Sequence, residues 1–120
     1  MSSSNDQHKG LLICKDLFFQ SQVTSMATQA GFEIEVLFDP SQLEGRLETG
    51  GIRAIFVDLS SPGIDINGLV ATAGDIPVVA YGPHVQTAKL QAATEAGCAD
   101  VMPNSRFSAQ MVDVLKTHLG

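Results

Sequence analysis

Two hydrophobic periods alternate along this chain. Leu11-Leu12-Ile13-Cys14 is a short continuous apolar run, the mark of a strand buried on both faces. Phe19, Val23, Met26 and Ala30 follow at helical spacing, and Gly31 punctuates the end of that helix. Residues 32–38 begin with strict alternation, as an edge or half-exposed strand does. Asp39 and Pro40 read as a helix start, with Asp39 as cap and Pro40 at the first helical position. Gly50-Gly51 ends that short helix. Ala54-Ile55-Phe56-Val57 is a second buried run, and Asp58 ends it. After the loop Ser60-Ser61-Pro62-Gly63, a third helix over 64–73 is interrupted by Gly68. Residues 76–80 form a fourth strand with Pro77 at its entrance, broken by Tyr81-Gly82-Pro83. An Ala-rich helix over 85–96 closes at Gly97, and 99–102 is the fifth strand. Ser105 or Ser108 caps a last helix whose inner face is Met111, Val112, Leu115 and Leu119.

Five strand–helix units with apolar central strands predict an α/β domain. Its parallel sheet is covered on both faces. Right-handed crossovers narrow the topology, and the five-stranded solution has strand order 2-1-3-4-5. Its ligand crevice lies at the C-terminal ends of strands 1 and 3, where the winding reverses. That rule singles out Lys15, Asp16, Asp58, Gly82 and Asn104.

Composition narrows the function classes. At 120 residues the chain fits one domain. The expected organisation is a polar lead over 1–9, disordered, and a folded domain over 10–120. The formal charge of −6 lacks the basic footprint of a nucleic-acid binder or of an anionic-membrane anchor. Cys14 and Cys98 sit in apolar surroundings without C-x-x-C spacing, so both are expected as reduced core thiols. The polar N-terminus is not a signal peptide, and no stretch reaches membrane-spanning length. A cytoplasmic protein is the default expectation. No phosphate-binding glycine loop is present.

The pieces strand-Lys15-Asp16, strand-Asp58-x-x-x-Pro62 and Gly97 before the fifth strand resemble the receiver domain of bacterial response regulators. The resemblance runs over 10–120 and implies the flavodoxin-like receiver fold. In that family a strand-end aspartate accepts a phosphoryl group, with magnesium held by two acidic residues and the nucleophile. A Ser/Thr after the fourth strand and a Lys after the fifth hold the phosphoryl oxygens. By resemblance Asp58 is the phosphoacceptor candidate, and Asp16 with Asp58 would hold a weakened magnesium site. Lys15 stands where the first acid would be. Gly82 and Asn104 replace the hydroxyl and the lysine, and Val101 replaces the aromatic switch residue.

An ammonium about 4 Å from a carboxylate gains roughly 4 kcal/mol at an effective dielectric of 20, before desolvation. Lys15 is therefore expected to pair with Asp16 or Asp58 in place of the metal. His84 is expected solvated, Tyr81 half-buried with a wet hydroxyl, and one of Phe18 and Phe19 exposed near the site. The expected function is a stand-alone, degenerate, non-enzymatic receiver working by protein–protein contact in two-component-type signalling. Its partner would be a histidine kinase or a downstream signalling protein, and a homodimer is compatible. By resemblance the contact face is the fourth helix, fifth strand and fifth helix, with Ala88, Ala92 and Val101 on it. The alternatives are a working single-domain regulator phosphorylated on Asp58 with magnesium, and a small flavodoxin-like cofactor binder. Lys15-Asp16-Leu17-Phe18-Phe19 is a poor anion cradle for a flavin phosphate.

Overall fold

A computed structural model describes residues 9–120. The polar lead at 1–8, with His8, lies outside the described residues. The elements run β1 (Lys9–Ile13), α1 (Leu17–Gln29), β2 (Glu33–Leu37), a 3-10 turn (Pro40–Gln42), α2 (Leu43–Glu48) and β3 (Ala54–Asp58). They continue with α3 (Ile66–Ala73), β4 (Val78–Gly82), α4 (Thr87–Ala96), β5 (Asp100–Pro103), α5 (Asn104–Ala109) and α6 (Met111–Leu119). The sheet is parallel with order β2-β1-β3-β4-β5, as the hydrophobic pattern predicts.

Strand alternation divides the core in two. Leu12, Cys14, Ala54, Phe56, Val79, Tyr81 and Met102 pack with Val23, Phe107 and Leu115 on one face of the sheet. Leu11, Ile13, Ile55, Val57, Val78 and Ala80 pack with Leu43, Leu69 and Ala93 on the other. Helices α1, α5 and α6 thus cover the first face, and α2, α3 and α4 the second. At the β2 edge, Arg46 on α2 grips Glu35 with two bonds, Nε to Oε2 at 2.6 Å and Nη2 to Oε1 at 3.0 Å. This bidentate pair holds the Glu35 carboxyl below its ordinary range, with the Arg46 hydrogen bond as first cause.

Several boundaries differ from the sequence reading, each for a local reason. β1 begins at Lys9 rather than after it, since Lys9 pairs with Glu33 in the β1–β2 ladder. β4 does not break at Tyr81. It runs through Gly82, with Tyr81 beside Asp58 and Met102 and Gly82 beside Pro103. Helix α3 starts at Ile66 because Asp65 caps it, accepting from the Gly68 N–H at 3.3 Å. A Cβ at position 68 would lie 2.6 Å from Asp65 Oδ2. The glycine that interrupts the helical pattern therefore makes room for the cap. The last helix is two helices that meet at Gln110, and neither Ser105 nor Ser108 caps one. The break changes the helical phase, so Phe107, Met111, Val114, Leu115 and Leu119 are buried while Val112 is half-buried. Cys14 is buried and Cys98 half-buried, both as free thiols.

Candidate functional site

The sheet register alone brings three polar side chains into one row. Ile13 pairs with Val57 across β1 and β3, so Cys14 follows beside Asp58. Asp58 pairs with Tyr81 across β3 and β4. Alternation turns Cys14, Asp58 and Tyr81 to the α1 side of the sheet, at its C-terminal edge. There a crevice of about 230 Å³ opens among Asp16, Asp58, Asn104 and Tyr81. Phe19, Ser60 and Ser108 complete its wall.

Asp58 is 8% exposed, and both its oxygens are engaged within the chain. Oδ1 accepts from the Ser60 N–H at 2.9 Å and from the Ser60 hydroxyl at 2.6 Å. This is an Asx-type turn that fixes the start of the β3–α3 loop. Oδ2 accepts from the Cys14 thiol at 3.6 Å. Burial, and then the Asp58 charge, push the Cys14 thiol up, outweighing the Tyr81 hydroxyl beside it. Cys14 is thus a donor to the carboxylate rather than a thiolate nucleophile. Gln20, itself buried, donates to the Cys14 carbonyl, which ties α1 to the end of β1.

Asp16 is the N-cap of α1, its Oδ1 accepting from Phe18 N–H at 3.0 Å and Phe19 N–H at 3.2 Å. Phe18 is 82% exposed, whereas Phe19 turns inward against Tyr81, ring centroids 5.3 Å apart. Tyr81 stacks on Phe107 at 4.5 Å. The expectation of a wet Tyr81 hydroxyl is overturned. The residue is 1% exposed and its hydroxyl is buried with no oxygen or nitrogen partner, beside the Cys14 thiol. Because β4 continues to Gly82, the ring is carried under α1 and α5 instead of leaving the sheet. Burial and the neighbouring Cys14, Asp58 and Asp16 push its pKa far up.

The Lys15 ion pair does not form. Among the described residues no ion pair joins Lys15 to Asp16 or Asp58. Alternation is the reason: Cys14 faces the crevice, so the exposed Lys15 next to it turns away. Its charge instead acts on Asp39 beyond β2. Its N–H, at 3.2 Å from the buried Ser61 Oγ, joins the β1–α1 and β3–α3 loops. Gly82 does not enter the crevice either; a Cβ there would meet Leu59 and Leu90 on the opposite face. Asn104 does line it, with a buried and unpartnered Oδ1. Of the other positions, Ala88, Ala92 and His84 are exposed. Val101 is half-buried against the second core cluster. The sequence reading expected Cys14 as a core thiol, Tyr81 at a strand end and Ser60 in a loop, and placed none of them in the crevice. The signal for them was available as register: each stands next to, two beyond, or opposite Asp58.

The donor set offers a divalent cation only a weakened site. Magnesium keeps several waters and is held through one or two carboxylates. Asp16 and Asp58 supply that number, but Asp58 Oδ1 and Oδ2 and Asp16 Oδ1 share their lone pairs with internal donors. No group of three or more His, Cys, Asp or Glu side chains suited to a metal occurs among the described residues. No helix among them is long and apolar enough to cross a membrane.

No family model matches the chain, and no curated protein sequence matches it. Solved structures do. The signal receiver domain of a response regulator from Bermanella marisrubri is 15% identical with a TM-score of 0.80, over 94% of this chain and 98% of that one. A sensor histidine kinase's receiver domain from Pseudomonas aeruginosa, with a magnesium ion coordinated in its active site cleft, is 18% identical with a TM-score of 0.78. That match spans 94% of this chain and 98% of the other. NtrX from Brucella abortus matches over 92% of this chain at 16% identity and a TM-score of 0.78. There the chain spans 26% of the NtrX length. At these identities the shared property is the fold: this chain folds as response-regulator receiver domains do.

Proposed function

We propose that this chain is a degenerate receiver, a non-enzymatic module that passes a signal by protein–protein contact without phosphoryl-driven switching. One observation carries this reading. Both Asp58 oxygens are held by donors of the chain itself, in a crevice lined by no Lys or Arg side chain. A phosphoryl acceptor needs an oxygen free to attack and positive charge to meet the incoming anion. Here Lys15 is turned away, Gly82 offers no hydroxyl, and Asn104 presents a neutral amide. The second reading is phosphorylation of Asp58 with magnesium. It draws on the placement of Asp58 and Asp16 in one crevice, and on the magnesium in the Pseudomonas neighbour. In either case the partner is a signalling protein, such as a histidine kinase or a downstream target.

Intact-mass spectrometry after incubation with magnesium and excess acetyl phosphate separates the two. No mass gain, in the wild type or in Asp58→Asn, is the expected result. A phosphoryl mass gain that Asp58→Asn abolishes would overturn the degenerate reading.

A further inference from the structure

The same crevice has a charge pattern that calls for a ligand of one class. Two carboxylates line it, Asp16 and Asp58. None of the chain's ion pairs among the described residues involves either one. Two further polar atoms are buried there without an oxygen or nitrogen partner, the Tyr81 hydroxyl and Asn104 Oδ1. Tyr81 is 1% exposed, and the polar neighbour of its hydroxyl is the Cys14 thiol, a weak hydrogen-bonding group. Leaving buried polar atoms unpaired costs about 1–3 kcal/mol each, so a group that satisfies them binds with that cost recovered. The oxygens facing the crevice are acceptors or hydroxyls, and its walls include the rings of Phe19 and Tyr81. Negative charge, acceptor oxygens and aromatic faces together select an organic cation.

We propose that the crevice binds a guanidinium or ammonium headgroup, held by the Asp16 oxygen that caps no N–H, by the lone pairs Asp58 keeps beside its internal donors, and by Asn104 Oδ1. Size supports a headgroup rather than a larger ligand. Pockets for drug-sized molecules span about 300–1,000 Å³, and this one is about 230 Å³. A guanidinium is planar, carries several donors and stacks on rings, and is the better match. Its source is either a free small cation or the arginine of a partner. Leu17 and Phe18, 67% and 82% exposed, directly follow Asp16 and offer apolar contact only to the second.

The chain has one tyrosine and no tryptophan, so tyrosine emission reports on the crevice wall directly. Titration with methylguanidinium chloride, against potassium chloride at equal ionic strength, is expected to give a saturable emission change. Asp16→Asn with Asp58→Asn should weaken binding about tenfold or more, since bonds to a charged partner are lost. Asn104→Leu, which leaves both carboxylates in place, should weaken it by a smaller factor. It serves as the second variant if the double variant misfolds. A Leu-Arg-Leu peptide that binds tighter than methylguanidinium, with the gain lost in Phe18→Ser, assigns the source to a partner. Equal affinities assign it to a free cation.

An emission change that does not saturate, or one matched by potassium, overturns the proposal. So does saturable binding that survives all these variants. The inference rests on the crevice not serving as a phosphoryl site, and its failure is separable. A chain that gains no phosphoryl mass and binds no guanidinium leaves the degenerate reading standing alone.

Discussion

Replacing Asp58 by Asn and by Ala separates what its charge does from what its hydrogen bonds do. The carboxylate is 8% exposed. Its Oδ1 accepts two bonds from Ser60, at 2.9 and 2.6 Å. Hydrogen bonds to a charged group contribute about 1.5–3 kcal/mol each when the donor is left buried and unpaired. Ser60 is exposed, so its freed donors find water and the lower end applies. Against this stands the cost of holding a negative charge in a crevice shared with Asp16 and lined by no Lys or Arg side chain. Asp58→Ala loses both Ser60 bonds and the weak Cys14 thiol bond, and relieves the charge, for a net destabilisation of about 1–2 kcal/mol. Asp58→Asn keeps the Oδ1 acceptor and also relieves the charge. Its stability should stay within about 0.5 kcal/mol of wild type, or rise. Urea denaturation followed by circular dichroism measures both, with unchanged m-values as the sign that the folded state is preserved. An Asn variant as destabilised as the Ala variant would refute the reasoning. It would mean that the negative charge is itself stabilised, by a cation the crevice holds in solution.

Two further outcomes follow from the geometry. Gly10→Ala would place a Cβ 2.9 Å from both Ile34 Cδ1 and Phe56 Cε2. That overpacking of the sheet face under α6 should cost about 1–3 kcal/mol in the same denaturation assay. Tyr81 should resist ionisation in the folded protein, because burial raises its pKa above the ordinary 10.0. The unfolded chain loses this proton near its ordinary value while the folded chain keeps it. The associated stability is therefore complete below pH 10 and declines as pH rises beyond it. A phenolate absorbance titration should show ionisation only together with alkaline unfolding, and a smooth native titration near pH 10 would contradict the burial.

The sequence by itself determined the class of fold and the end of the sheet where the candidate crevice lies. Continuous apolar runs at 11–14 and 54–57 require burial on both faces, and hence a parallel sheet between helices. Capping and glycine punctuation located Asp39 and Gly97 without reference to distant residues. These signals are local, so they survive in one dimension. Asp58 and Asp16 followed from the crossover rule, and the structure brings both into one crevice. What only the tertiary structure decided is the direction and company of each side chain there. Whether Lys15 faces Asp58 depends on the phase of alternation at the end of β1, and the phase puts Cys14 there instead. Whether Tyr81 is wet depends on how far β4 runs and on which helix covers it. Gly68 interrupts the helical pattern of α3 because the capping Asp65 carboxylate occupies the space of a side chain there. Register and packing join residues far apart in the chain. A pattern read along one strand at a time gives the position of Asp58 but not the neighbours that set its chemistry.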